Sequence, residues 1–197
     1  SQRQNVRSFL SLARVADTEQ LSETVLQRLY GKAAKEAAKA LEPFGYYAPT
    51  ITLSKNRSPQ GIWQVTLTLQ TGEPVVISEI DITLSGEGRD DTLLRTATQE
   101  FPLGRGAIFD HRLYEKGKDQ LVAIALDNGY QRAVFRSSRV EVSKKHHTAA
   151  IRLELVTGLR YLIGPLRFDA DFIDHELLKK ITPVHEGDPF SPKALTR

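Results

Sequence analysis

The 197-residue sequence has no cysteine, no methionine and a single tryptophan, Trp63. Without cysteine there is no disulfide, no thiolate metal site and no thiol nucleophile. Such a chain is also safe in an oxidising compartment, where stray thiols misbridge. No apolar run approaches the roughly 18 residues of a membrane-crossing helix. No secretory leader is present, and a start at Ser1 with no methionine predicts a processed or excised piece. Neither sign of charge dominates: 27 Lys and Arg stand against 24 Asp and Glu, a net charge of +3. The isoelectric point of about 9.1 therefore favours an acidic partner only weakly.

Chemistry-bearing patterns are missing too. There is no Gly-x-Ser-x-Gly, and Gly86-Glu87-Gly88 and Gly104-Arg105-Gly106 are too short for a nucleotide fingerprint. His146-His147 falls in a hairpin turn, and adjacent side chains of an extended pair point apart, so they chelate poorly. Asp110-His111 and Asp174-His175-Glu176 stand at helix starts, where acids complement the helix dipole. No nucleophile or acid/base pair emerges with partners, so the sequence predicts no enzyme, no cofactor and no metal. Basic residues are spread, with pairs only at Lys144-Lys145 and Lys179-Lys180, and no nucleic-acid motif appears.

What the chain has is a repeat. Its hydrophobic fraction of 40% suits a folded protein. Leu41-Glu42-Pro43-Phe44-Gly45-Tyr46 ends a helical run, and Ala125-Leu126-Asp127-Asn128-Gly129-Tyr130 does so again. Gly45 and Gly129 suit the left-handed turn that stops a helix. Leu67-Thr68-Leu69-Gln70-Thr71-Gly72 lies over Leu153-Glu154-Leu155-Val156-Thr157-Gly158, and Val75-Val76-Ile77 over Tyr161-Leu162-Ile163, both at an offset of 86. Gly106-Ala107-Ile108-Phe109 returns as Gly187-Asp188-Pro189-Phe190. A period of this size means tandem modules.

Taken in order, a short helix within 1–20, with Val6, Phe9, Leu10 and Leu12 on one face, precedes a helix capped by Ser22 and rich in alanine. Strands are expected at 46–54 and 62–70, the second with Val65, Leu67 and Leu69 inward. Then come a strand at 75–84, a short helix capped by Asp91 and a helix from Asp110 with Leu113, Tyr114, Gly117, Leu121, Ile124 and Ala125 inside. Strands at 131–143 and 148–157 close that module, and a further strand at 161–168 and a helix at 172–181 open another. The expected fold class is α+β, each module β-α-α-β-β with two helices on a three-stranded mixed sheet, in an elongated array. Residues 1–72 would be a first module missing its leading strand, 73–158 a complete second, and 159–197 the N-terminal part of a third. That third module would be complete in the intact protein, since a half-module buries too little to offset its ordering entropy.

This order, with Gly-x-x-Phe before the second helix and Gly-Tyr after it, resembles the POTRA domains of Omp85-type outer-membrane proteins. Glu42-Pro43-Phe44-Gly45-Tyr46-Tyr47-Ala48-Pro49-Thr50-Ile51 is most similar to the TamA group, the outer-membrane subunits of the translocation and assembly module. The resemblance implies the periplasmic part of a Gram-negative outer-membrane protein, attached to a barrel, without catalysis. It further implies a TamB-like protein partner, and outer-membrane polypeptides or autotransporters as substrates. The alternatives are the POTRA region of a two-partner secretion transporter or of BamA and, from another class, a basic nucleic-acid-binding α+β repeat, which a steep salt dependence of binding would reveal.

Two binding surfaces follow. The last strand of each module alternates most cleanly and belongs in the sheet centre, which leaves the strand after Gly-Tyr at an edge. In the second module that edge carries Arg132, Val134, Arg136, Arg139, Val140 and Val142. An open edge accepts an incoming strand, although arginines there also serve to prevent aggregation. Tyr46, Tyr47 and Pro49 are the second candidate contact, against the plainer role of tyrosines that pack with a polar tip outward. Gly45, Gly129, Phe109, Gly187 and Phe190 are expected to be structural.

Overall fold

The computed structural model of the chain describes residues 2–16, 22–167 and 182–193. Three helices open it: α1 (Gln2–Phe9), α2 (Ser11–Arg14) and α3 (Glu23–Leu41). Ser22 caps α3, its hydroxyl oxygen accepting from the Val25 amide at 3.4 Å. The alanines of α3 allow close approach: Ala37 and Ala40 are fully buried and, with Val6, Leu41 and the flanking Leu10, make one core cluster. Phe9, expected on that face, is instead 44% exposed. Glu36 ties α2 to α3 by accepting from the Ser11 amide at 2.8 Å and the Ser11 hydroxyl at 2.7 Å. These bonds, the amide's first, hold the Glu36 carboxyl below its ordinary value.

Against α3 lies an antiparallel hairpin, β1 (Thr50–Arg57) and β2 (Trp63–Gln70), with Thr50 opposite Gln70 and Arg57 opposite Trp63. The first strand starts four residues later than the sequence predicts. The Tyr46 amide still donates back to Leu41, and Pro49 has no N–H to offer a ladder.

The next elements are β3 (Val76–Ser85), α4 (Thr92–Gln99), α5 (His111–Asp127), β4 (Val134–Ser143) and β5 (Thr148–Val156). They form the predicted strand-helix-helix-strand-strand order. Asp91 caps α4 through the Leu93 and Leu94 amides at 2.9 and 3.2 Å. Asp110 receives the Arg112 amide at 2.9 Å, in the manner of a cap for α5. The sheet order is β3-β5-β4. Ser78 bonds to Ala149 and Thr83 to Leu153, so β3 and β5 run in the same direction, while β4 and β5 are a hairpin. The sheet is therefore mixed, with β5 central. Ala149, Ile151, Leu153 and Leu155 are its fully covered side, and Tyr114, Gly117, Leu121 and Ala125 are the buried stripe of α5. A Cβ on Gly117 would drive into the Phe101 ring and the Pro102 side chain. Leu113, expected inside, is 38% exposed.

Beyond β5 the expected strand at 161–168 reduces to one bridge, Leu162 to Pro189. Pro165 removes a donor and restrains the residue before it, which cuts the ladder short. Phe168 and the helix expected at 172–181 lie outside the described residues. By its contacts the chain gathers into two compact units: Ser1–Glu79 with Arg105–Leu113 and Glu141–Ala150, and Ile80–Gly104 with Tyr114–Val140 and Ile151–Arg197. No helix among the described residues is long and apolar enough to cross a membrane.

Candidate interaction surfaces

The repeated glycines meet the repeated Gly-x-x-Phe motifs. In the first compact unit the Val75 amide donates to the Gly45 carbonyl at 2.8 Å, and the Phe109 amide donates to the Val75 carbonyl at 2.9 Å. Ile77 then exchanges bonds with Ala107 and Gly106 at 2.9 and 2.7 Å. In the second unit the pattern recurs with other residues. Tyr161 donates to Gly129 at 2.8 Å, Phe190 to Tyr161 at 2.9 Å, Ile163 to Asp188 and Gly187 to Ile163, both at 2.8 Å. Gly45 and Gly129 hold φ of +84° and +92°. Both also face backbone at close range: a Cβ on Gly45 would stand 2.5 Å from the Phe109 carbonyl oxygen, and one on Gly129 would strike that of Tyr161. The glycines therefore do more than end a helix; they let a following segment lie against the turn.

Side chains dress the two latches differently. At Gly45, Arg112 stacks 4.5 Å from the Phe44 ring centre while bonding Asp110 at 2.6 Å. Burial pushes the Asp110 carboxyl up, but its bonds to Arg112 outweigh that and leave it below its ordinary value. At Gly129, Gln131 donates to the carbonyls of Leu126 and Phe190, both at 2.7 Å. Asp127 receives Lys193 at 2.6 Å and Ser191 at 3.3 Å, and the Arg160 side chain reaches the Asn128 carbonyl at 3.0 Å. These staples left no repeat signal, because Gln131 lies over Tyr47.

Tyr46 packs against the first core cluster, and Tyr46, Tyr47 and Pro49 are all half-buried rather than presented outward. Burial, with a smaller effect of Glu42, raises the Tyr47 hydroxyl above its ordinary value. Tyr30 donates to the Leu53 carbonyl at 2.8 Å.

At the other candidate surface, β4 is the outer strand of its sheet. Val134 is 59% exposed, and Arg136, also exposed, pairs with Glu154 at 2.9 Å. Arg132 is not on the strand: it lies in the turn before it, where Gln131 donates to Gly129 and Ala133 to Tyr130. The half-buried positions of β4 pass from Phe135 to Val140 and Val142, with all of 136–139 exposed. The run of exposed side chains at 136–139 interrupts the alternation of β4. Val134, Arg136 and Arg139 are exposed along β4, and Val140 is half-buried.

Residues 1–71 match the family model described as POTRA domain TamA domain 1. Over that stretch the chain is similar to a POTRA domain. Solved structures also align over most of the chain. POTRA3-5 of Haemophilus influenzae BamA is 16% identical, over 91% of this chain and 78% of that one, with a TM-score of 0.45. POTRA1-2 of Omp85 from Anabaena is 18% identical, over 74% and 92%, with a TM-score of 0.36. The N-terminal domain of Omp85 from Thermosynechococcus elongatus is 15% identical, over 98% and 75%, with a TM-score of 0.38.

Proposed function

We propose that this chain is a periplasmic binding and scaffolding region of a Gram-negative outer-membrane assembly and translocation protein, attached in the intact protein to an outer-membrane barrel. The match of residues 1–71 to the first POTRA domain of TamA carries this reading. In it, residues 1–72 are the first module, 73–158 the second, and 159–197 the opening of a third. The work is done by holding polypeptide. The first module docks a TamB-like partner around Tyr46, Tyr47 and Pro49. The edge of β4 at Val134 and Arg136 takes an extended segment of a substrate such as an autotransporter or other outer-membrane protein, by strand addition. Support for the edge comes from its place outermost in the sheet and from the exposure of those two side chains.

The test is photocrosslinking in living cells from single positions 46, 47, 49, 134 and 136 of the full-length protein. Capture of a periplasmic or outer-membrane polypeptide at 134 or 136, or of an inner-membrane-anchored protein at 46–49, supports the reading. Crosslinks confined to the chain itself at all five positions would sink it.

A further inference from the structure

The helices α3 and α5 hold the same place in the repeat, yet their outward faces differ. At the offset of 84 that lays Gly45 over Gly129, Ala33, Ala37 and Leu41 fall on Gly117, Leu121 and Ala125, and all six are buried. The outward faces therefore correspond as well. On α5 that face carries Arg112, Glu115, Lys116, Asp119 and Ala123. Its charges are mixed and paired: Arg112 bonds to Asp110 at 2.6 Å, and Lys118 to Glu115 at 3.1 Å. On α3 the matching places hold Arg28, Gly31, Lys32, Lys35 and Lys39, all exposed. Both acids are gone, one replaced by glycine and the other by lysine.

The spacing of these five positions keeps them within an arc of about 100°, along about 16 Å of helix. Thr24 shares the arc, and no acidic or apolar side chain does. Among the described residues no ion pair involves the four cations. Glu36, at the edge of the arc, feels Lys32 and Arg14, but its oxygens accept from Ser11. Like charges three and four residues apart repel, so the stripe weakens the helix that carries it. Gly31 is an independent sign. A glycine inside a helix also weakens it, and the room it leaves serves a close neighbour. A Cβ on Gly117 would run into Phe101 and Pro102, whereas one on Gly31 would meet nothing within 4 Å. Among the described residues nothing uses the room at Gly31.

We infer that this face of α3 docks an acidic helix of a partner protein, which crosses at Gly31 and sets carboxylates against Arg28, Lys32, Lys35 and Lys39. Charge complementarity gives the sign of the partner. The missing Cβ in the middle of the stripe gives its class, since it admits the close approach of a second backbone. Three turns of basic stripe match three turns of a helix laid along it. A bilayer surface would call for apolar or aromatic side chains beside the cations, and the arc has none. The face shares no residue with Tyr46, Tyr47 and Pro49 or with β4, so the inference goes beyond the two contacts proposed above and depends on neither.

The probe is an alanine-based helical peptide with glutamates three and four residues apart along one face. Its controls are the same peptide with Gln for Glu, phosphatidylglycerol vesicles and a DNA duplex. Amide shifts of the purified chain are followed. The Glu peptide is expected to move residues 24–39, to leave Arg112–Ala123 in place, and to bind at least about tenfold more tightly than the Gln peptide. Gly31→Glu with Lys35→Asp writes the α5 pattern onto α3 and should abolish that binding. Gly31→Leu keeps every charge but holds the two backbones apart, and should weaken it about tenfold. Position 31 is open and Lys35 is exposed, so both variants keep the fold. The inference is overturned by a Glu peptide that leaves 24–39 unmoved, by equal binding of the Glu and Gln peptides, or by equal shifts on α5. It is also overturned by full binding to either variant, or by vesicles or DNA that move 24–39 more than the peptide does. Crosslinks at 46–49 and 134–136 can fail while this binding succeeds, and the reverse, so the two readings fall separately.

Discussion

Replacing Gly45 by alanine should open the first latch and leave the hairpin beside it intact. The new Cβ would stand 2.5 Å from the Phe109 carbonyl oxygen and 3.2 Å from the Ile108 Cγ2. A carbon–oxygen contact needs about 3.3 Å, so the facing backbone must withdraw by about 0.8 Å. That stretches the 2.8 Å bond from Val75 to Gly45 to about 3.6 Å, where it is no longer a hydrogen bond. Losing it costs about 1 kcal/mol. Alanine at φ +84° adds about 1–2 kcal/mol. Loss of the next bond, Phe109 to Val75, adds about 1 kcal/mol more. The total is about 3–4 kcal/mol, and at about 1.4 kcal/mol per factor of ten it predicts about 140- to 700-fold faster amide exchange at Val75 and Phe109. Native-state hydrogen exchange reads this directly, with Leu67 and Leu69 in β2 as internal controls. Unchanged exchange at Val75 would refute the reasoning. An equal acceleration at every amide would also refute it, because the change would then be global.

Gly31→Ala in α3 is the opposite case: nothing stands within 4 Å of the added Cβ, so stability should rise by about 0.5–1 kcal/mol in urea unfolding. Gly117→Ala should lower stability by about 1–3 kcal/mol, because the added methyl overpacks the Phe101 ring, and the same titration measures it. Thr157→Val leaves the buried Gly88 amide without its 2.9 Å acceptor and should cost about 1–3 kcal/mol. The Glu36 carboxyl has a lowered value in the fold, so its support for the α2–α3 contact is complete above the ordinary 4.5 and is lost as the pH falls through the lowered value. The Ser11 amide shift should follow that titration, and Glu36→Gln should flatten it.

Much of the fold was legible because its signals are local. The alternation of Val65, Leu67 and Leu69 defines β2, and Ser22, Asp91 and Asp110 announce helix starts through their own side chains. The central place of β5 followed from its apolar run. The start of β1 was misplaced because Tyr46 and Tyr47 look extended, while their backbone still serves the helix end and Pro49 delays the ladder. Arg132 was misplaced because the turn after Gly129, closed by bonds from Gln131 to Gly129 and from Ala133 to Tyr130, runs on to the start of β4 at Val134. The repeat had already laid Tyr161 over Val75 and Gly187 over Gly106. Their bonding was not legible, since the latch is backbone to backbone and leaves only the glycines as a trace.

The most direct measurement of the central claim is amide exchange along β4 in the purified chain, with and without an extended peptide from an outer-membrane polypeptide. Strand addition predicts slowed exchange at alternate residues of β4 around Val134–Arg136. A bound peptide that leaves every β4 amide unprotected would contradict it.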